Sequence, residues 1–280
     1  MVAGAISQMG VIGHPIGQTL SPPLHGRWIK AHGLTADYHA VDGESLERFP
    51  DIVRDCAAKG WFGLNVTIPF KGAAVALADE ASPVAEAIGA ANLLKFEGNR
   101  ILADNTDMIG FAEAVRQSGW DLQKETVLLV GAGGAAPAVV YALQDLGFSE
   151  ILITNRTMEK AYEIKDRFQS VTIVPWEKRE DVLPQLNLLI NATSLGMRGQ
   201  PPLPLSLSSL PASAAIVDIV TTPAVTPLMR EGIDKGCRAM NGVPMLVHQA
   251  IPTFAAWHGI TPDDPVAAGA FLQDVLAAKL

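Results

Sequence analysis

One stretch near the middle of the chain constrains the fold more than any other. Glu125–Val130 carries an apolar run, and Gly131-Ala-Gly133-Gly134-Ala-Ala136 follows it directly. Such a run predicts a strand buried on both faces, and the glycines predict a tight turn into a helix over Ala135–Leu146. Gly131 permits the sharp turn, and Gly133 leaves room for backbone N–H groups to approach a pyrophosphate. Ala136 is small enough for close packing of helix on strand. The helix N-terminus adds partial positive charge. Gly131, Gly133, Gly134 and Ala135 are therefore candidate phosphate contacts, and the competing reading is a glycine-rich turn that holds no ligand.

The rest of the chain repeats the same grammar, with short apolar runs between amphipathic stretches, the pattern of an α/β protein. Strands are expected at Met9–Gly13, Tyr38–Val41, Gly63–Thr67, Ile151–Thr154, Thr172–Pro175, Leu188–Asn191 and Ala215–Asp218. Purely apolar strands separated by helices imply a parallel sheet covered on both faces. Helices are expected over Ser21–His32, opened by a serine cap and prolines, over Leu46–Lys59, and from Pro69 to Ala78. Ala91–Phe96 and Arg100–Asp104 read as a hairpin turning at Gly98–Asn99. Gln200–Ser213, rich in proline and serine, reads as a loop. The tail Pro244–Leu280 reads as helical with a break at Gly259–Pro262. A length of 280 residues fits one large domain or two ordinary ones.

Composition narrows the classes. Apolar residues are 49% and charged residues 18% of the chain, enough to build a buried core. Twenty-one Lys and Arg against 29 Asp and Glu leave a net charge of −8, which argues against nucleic acid as a partner. The first 26 residues hold no Lys or Arg, so the basic start of a signal peptide is not expected. Val127–Leu143 is free of charge, but its glycines, its proline and its length speak for core rather than a membrane span. Cys56 and Cys237 have neither CxxC spacing nor histidines at zinc-site intervals, so they are expected as buried thiols, with no metal site and a cytoplasmic location.

The end of the strand after the glycine turn selects the nucleotide. An NAD site places Asp or Glu there to bind the ribose 2′-hydroxyl, whereas this chain has Asn155-Arg156-Thr157, with Lys160 one turn on. A carboxylate would repel a 2′-phosphate and a guanidinium can bind it bidentately, so the pattern favours NADP over a merely solvated arginine.

Two polar clusters lie outside that unit. Asn65-Val-Thr67-Ile-Pro69-Phe70-Lys71 runs from a strand through a proline turn into a helix, and Asp104-Asn105-Thr106-Asp107 follows Asn92. Strand ends are where the sites of open α/β proteins collect, and a lysine beside a carboxylate can share a proton with it. Taken singly, Lys71 reads equally as a surface lysine and Asp104-Asn105 as a turn device.

These motifs, in this order, resemble the shikimate dehydrogenase family from end to end. The resemblance rests on Gly13-His-Pro15-Ile16 with Ser21-Pro22 and His25, on the Asn65–Lys71 block, and on Ala90-Ala-Asn92. Asn105-Thr106-Asp107 with Gly110-Phe111, the glycine turn, and Asn155-Arg156-Thr157 continue it. Asn191-Ala-Thr193-Ser-Leu-Gly196-Met197 and Asn241-Gly242 with Met245 and Gln249-Ala250 complete it. It implies reversible NADP-linked conversion of shikimate to 3-dehydroshikimate by a monomer or homodimer. It implies a substrate domain, residues 1–107 with 242–280, and a Rossmann domain, residues 108–241. Lys71 and Asp107 would form the catalytic pair. Thr67, Asn92 and Gln249 would meet the ring side of the substrate, and Thr19 and Ser21 its carboxylate. Thr193, Gly242 and Met245 would join the cofactor contacts.

Three positions depart from the family pattern. Gly17-Gln18-Thr19-Leu20-Ser21 stands where His-Ser-x-Ser is usual, so a hydroxyl is kept but a methyl group is added. Thr221 replaces a tyrosine whose hydroxyl normally reaches the substrate carboxylate. Pro137 stands where a basic residue often follows the glycine turn. Quinate or another cyclic hydroxy acid is the competing substrate, and a nucleotide-binding regulator without turnover is the competing class.

Overall fold

The computed structural model describes residues 6–122 and 125–278. The chain divides into two compact units, one of residues up to Gly110 with Leu246–Leu272, the other Phe111–Met245 with the residues from Gln273 on.

The first unit holds a six-stranded sheet in the order β2-β1-β3-β5-β6-β4. Its strands are β1 (Ser7–Gly13), β2 (Ala36–Asp42), β3 (Gly63–Val66), β4 (Glu80–Ala81), β5 (Leu93–Glu97) and β6 (Arg100–Asp104). β2, β1 and β3 run parallel, but β5 pairs antiparallel with both β3 and β6, so the sheet is mixed. The tight β5–β6 hairpin makes one of its two strands run against β3, since strands joined by a short turn must run in opposite directions, and that strand is β5. Helices α1 (Ser21–Ala31), α2 (Phe49–Ala58), α3 (Lys71–Leu77), α4 (Pro83–Ile88) and α5 (Asp107–Gln117) follow along the chain. The N-cap of α1 is Leu20, with no side-chain cap, rather than the expected serine. Pro22 and Pro23 suit the first turn, which needs no N–H partners, so Ser21 lies inside the helix and its hydroxyl is released for other use. Phe49, Phe70, Leu64 and Leu94 are fully buried in the cluster between α2, α3 and the sheet.

The second unit carries a wholly parallel sheet, ordered β12-β11-β10-β7-β8-β9. Its strands are β7 (Thr126–Val130), β8 (Glu150–Thr154), β9 (Val171–Ile173), β10 (Leu188–Asn191), β11 (Ala215–Asp218) and β12 (Arg238–Met240). Counted from β7, this is the strand order of the Rossmann fold, whose order reverses between its first and fourth strands, here β7 and β10. Every residue of β7 is buried, as its unbroken apolar run requires. Helices α6 (Ala136–Leu146), α7 (Met158–Arg167) and α8 (Pro227–Asp234) belong here. The proline-rich loop forms no strand, yet Leu203, Leu205, Leu207 and Leu210 are buried with Leu128, Leu189 and Ile216. Its prolines deny it a ladder while its leucines still cover the sheet.

The tail forms α9 (Val243–His258) and α10 (Pro265–Ala277), separated at the expected break, and its last two residues lie outside those described. Among the described residues no helix is long and apolar enough to cross a membrane. Cys56 and Cys237 are free and buried, and burial pushes the Cys56 thiol up to about 11.

Candidate active site

Strand direction assembles the polar cluster of the first unit. β3 and β6 both run antiparallel to β5, hence parallel to each other, so they leave the sheet at the same end. Each is followed there by a helix. Lys71 is the first residue of α3, and Asp107 the first of α5. β5 runs the other way and enters at that end, which brings in Asn92 just before Leu93.

The three side chains meet. Lys71 Nζ donates to Asp107 Oδ2 at 2.5 Å, with the two side chains 10% and 7% exposed. Asn92 Nδ2 donates to Asp107 Oδ1 at 2.9 Å and to Gln249 Oε1 at 3.0 Å. Gln249 comes from α9 and is anchored through its Nε2 to the carbonyl of Leu246 at 2.9 Å. A carboxylate at a helix N-terminus is favoured by the unpaired backbone N–H groups there, which helps to hold Asp107. The result is a buried, charge-balanced pair whose free rim is lined by amide groups. That arrangement can accept or release one proton at a bound hydroxyl and hold neighbouring hydroxyls by hydrogen bonds.

Behind this rim runs a buried scaffold to which the sequence motifs assign no role. The Asn92 side-chain carbonyl accepts from the Thr106 N–H at 2.7 Å. The Thr106 and Thr253 hydroxyls lie 3.3 Å apart. Asn65 Nδ2 donates to the Asn92 carbonyl at 3.0 Å, and Tyr38 donates to Asn65 Oδ1 at 2.8 Å. Thr253 lies one helical turn after Gln249, on the same face of α9, and that spacing is the signal that could have found it. Thr67 follows Asn65 by two residues; its methyl group fills the space against Gly13 that a Cβ there would need.

Thr19 and Ser21 form a separate pair. The Thr19 hydroxyl donates to the Ser21 hydroxyl at 3.4 Å and accepts from the Ser21 N–H at 3.3 Å. His25, one turn further along α1, is fully buried and stacks on Tyr38 with ring centroids 4.1 Å apart. Neither of its ring nitrogens has a hydrogen-bond partner among the described residues. Burial, helped by His258 nearby, drives its pKa down to about 3, so the imidazole is neutral and packs as an aromatic ring.

In the second unit the glycine turn stands at the end of β7, where the strand order reverses. Gly131 has φ +111°, and a Cβ on it would stand 2.8 Å from Thr193 Cγ2. The Ala132 N–H donates to Asn155 Oδ1 at 3.1 Å, and Asn155 Nδ2 donates to the Thr157 carbonyl at 2.6 Å, which ties the turn to the end of β8. Gly133 and Gly134 are exposed and Ala135 is half-buried. The nearest atom to a Cβ built on Gly133 is 4.0 Å away, so its backbone faces open space. Arg156 and Lys160 are exposed, and neither side chain is engaged by another described residue. An open backbone turn at the switch point with two unengaged basic groups fits a dinucleotide that carries an extra phosphate. Gly242 is buried, and a Cβ on it would collide with the backbone of Ile219. Met245 is buried too, and Thr221 half-buried.

Comparison with known proteins agrees with these two halves. A family model described as the shikimate dehydrogenase substrate binding domain matches residues 11–94, and one described as shikimate / quinate 5-dehydrogenase matches residues 112–197. A shikimate dehydrogenase (NADP(+)) of Azorhizobium caulinodans is 40% identical over 98% of this chain and 97% of its own length. The chain belongs to the shikimate dehydrogenase family. Among solved structures, shikimate 5-dehydrogenase from Thermus thermophilus in complex with NADP(H) and shikimate superposes with a TM-score of 0.86. It is 34% identical, over 97% of this chain and 100% of that one. Quinate dehydrogenase from Corynebacterium glutamicum in complex with NAD gives 0.87 at 26% identity, covering 98% and 99%. This member of the shikimate dehydrogenase family thus shares its architecture with enzymes of two substrates and two nicotinamide nucleotides.

Proposed function

We propose that the chain is an NADP-dependent shikimate dehydrogenase that interconverts shikimate and 3-dehydroshikimate, with Lys71 and Asp107 as its acid–base pair. The observation that carries the reading is the buried 2.5 Å contact between Lys71 and Asp107, ringed by Asn92 and Gln249. Residues 1–107 with 242–280 form the substrate domain on this reading, and residues 108–241 the dinucleotide domain.

In the direction of oxidation, the ring carbon loses a hydride and its hydroxyl loses a proton. NADP, when bound, supplies the acceptor for the hydride. Lys71 Nζ hands one of its protons to Asp107 Oδ2 and takes the hydroxyl proton in its place, so the pair is neutral overall beforehand and carries one positive charge afterwards. In reduction the same pair returns the proton to the carbonyl oxygen. Asn92 and Gln249 hold adjacent ring hydroxyls, and Thr67 packs beside the ring. Thr19 and Ser21 donate hydroxyl hydrogen bonds to the carboxylate, each such bond to a charged group being worth about 1.5–3 kcal/mol. Gly131, Gly133, Gly134 and Ala135 receive the pyrophosphate, Asn155, Arg156, Thr157 and Lys160 the phosphorylated ribose, and Thr193, Gly242 and Met245 the nicotinamide side.

A quinate enzyme is the second reading, supported by Thr19 and Thr221 at the carboxylate positions. Both are tested by steady-state oxidation of shikimate and of quinate, each with NADP+ and with NAD+. The first predicts the highest kcat/KM for shikimate with NADP+. Turnover of quinate with NAD+, and none of shikimate with NADP+, would transfer the assignment to the second.

A further inference from the structure

Among the described residues, the acid–base pair and the glycine turn leave one buried carboxyl group unused. Asp218, the last residue of β11, is fully buried and forms no ion pair among the described residues. Its Oδ1 accepts from Asn191 Nδ2 at 3.0 Å and from the Val220 N–H at 3.1 Å, and its Oδ2 accepts from the Thr226 hydroxyl at 2.6 Å. Burial pushes this carboxyl upward, against the pull of the three donors. A carboxylate buried without a counter-ion is a costly choice for structure alone. It does supply two oxygens that only accept, matched to three donors, one at the end of β10 and two on the connection from β11 to α8.

Those segments lead to the switch point of the sheet. Asn191 Oδ1 accepts from both the Thr193 N–H at 3.0 Å and the Thr193 hydroxyl at 2.7 Å. Thr193 in turn is the side chain that would meet a Cβ on Gly131. On the other side the Val220 carbonyl accepts from the Gly242 N–H at 2.9 Å. Thr226 also caps α8, accepting from the Met229 N–H. The carboxylate thereby ties the loop after β10 to the loop after β11, and the Val220 carbonyl carries the tie on to the loop after β12, at the carboxyl ends of parallel strands where ligands of such sheets bind.

We infer that Asp218 is a positioning residue for the dinucleotide, fixing Thr193 against the glycine turn through Asn191 and fixing Gly242 through Val220. The inference rests on the proposed assignment of Thr193 and Gly242 to the cofactor, and it predicts a defect confined to the nucleotide side.

The test uses the full chain with Asp218→Ala, Asp218→Asn and Thr226→Val, at a temperature where circular dichroism shows each folded. NADP+ affinity is read by titration calorimetry, and KM for shikimate at saturating NADP+. Asp218→Ala should weaken NADP+ about tenfold or more, the effect of losing one to two charge-assisted bonds, and change the shikimate KM less than about twofold. Asp218→Asn keeps an oxygen for Asn191 and Val220, so it should recover most of the affinity. If the alanine variant does not fold, Thr226→Val, which removes one donor at nearly constant volume, should still weaken NADP+ and spare the shikimate KM.

Unchanged NADP+ affinity in every folded variant, equal losses for both ligands, or no recovery in Asp218→Asn overturns the inference. Wild-type protein that fails to bind NADP+ overturns the proposed function as well; normal wild-type binding with insensitive variants overturns this inference alone.

Discussion

Replacing Lys71 by methionine keeps the length of the side chain and removes its charge. The consequences for stability and for catalysis should then separate. In the native protein the ammonium lies 2.5 Å from Asp107 Oδ2, and both side chains are at least nine-tenths buried. Without it, Asp107 keeps Asn92 on Oδ1 but has a buried, unpaired Oδ2. Breaking a buried ion pair from one side costs about 3–5 kcal/mol. Removing a general acid–base group lowers turnover by about 10²–10⁴-fold. Adding Asp107→Asn to Lys71→Met removes the orphaned charge while keeping an oxygen for Asn92, so most of the lost stability should return. Activity should not return, because the proton acceptor is still missing. Urea unfolding followed by tryptophan fluorescence measures the first quantity, and steady-state oxidation of shikimate the second. A kcat for Lys71→Met close to wild type would refute the assigned chemistry. A double variant no more stable than the single one would refute the electrostatic account of the pair.

The remaining predictions concern the nucleotide side and the buried histidine. Arg156→Asp should weaken NADP+ about 10–100-fold through loss of a charge-assisted contact and change NAD+ far less; equal losses would take Arg156 away from the 2′-phosphate. Gly131→Ala would place a Cβ 2.8 Å from Thr193 Cγ2 at a φ of +111°. It should cost about 1–3 kcal/mol and weaken NADP+ binding, so a wild-type melting curve and nucleotide affinity would rule the steric reading out. His25 titrates near 3 in the folded chain and near 6.5 when free, so between those values the unfolded state holds one more proton. Its contribution to stability is complete above pH 6.5 and is lost as pH falls, by about 2 kcal/mol between pH 7 and pH 5. His25→Phe should remove that share of the acid sensitivity, and parallel pH profiles for the two proteins would show that the burial of His25 is not its source.

Local backbone demands are what the sequence expresses most clearly. The glycine turn was legible because φ +111° at Gly131 and the contact with Thr193 exclude a side chain within one short segment. Pro22 and Pro23 marked the start of α1, but the position of the cap was displaced by one residue, since Ser21 takes helical geometry. The alternating Leu203, Leu205 and Leu207 carry the pattern of a strand face, while the prolines among them forbid the ladder; burial and hydrogen bonding were asking for different things. The helix α8 could have been found from Thr226-Pro227, a cap followed by a proline in the first turn.

The acid–base pair is different in kind, because no local rule links residues that lie 36 positions apart. What joins them is a parity argument. A hairpin at Gly98–Asn99 makes β6 antiparallel to β5, and β5 is antiparallel to β3, so β3 and β6 must emerge on the same edge. Helices starting there begin with Lys71 and Asp107, and the strand that enters there is preceded by Asn92. Had β5 joined the sheet parallel to β3, Asp107 would stand at the opposite end from Lys71. The sequence shows the hairpin and both polar motifs, but not which strand the hairpin pairs with. That single pairing, Asn65 opposite Leu93 and Leu93 opposite Asp104, turns two unremarkable helix starts into one chemical group.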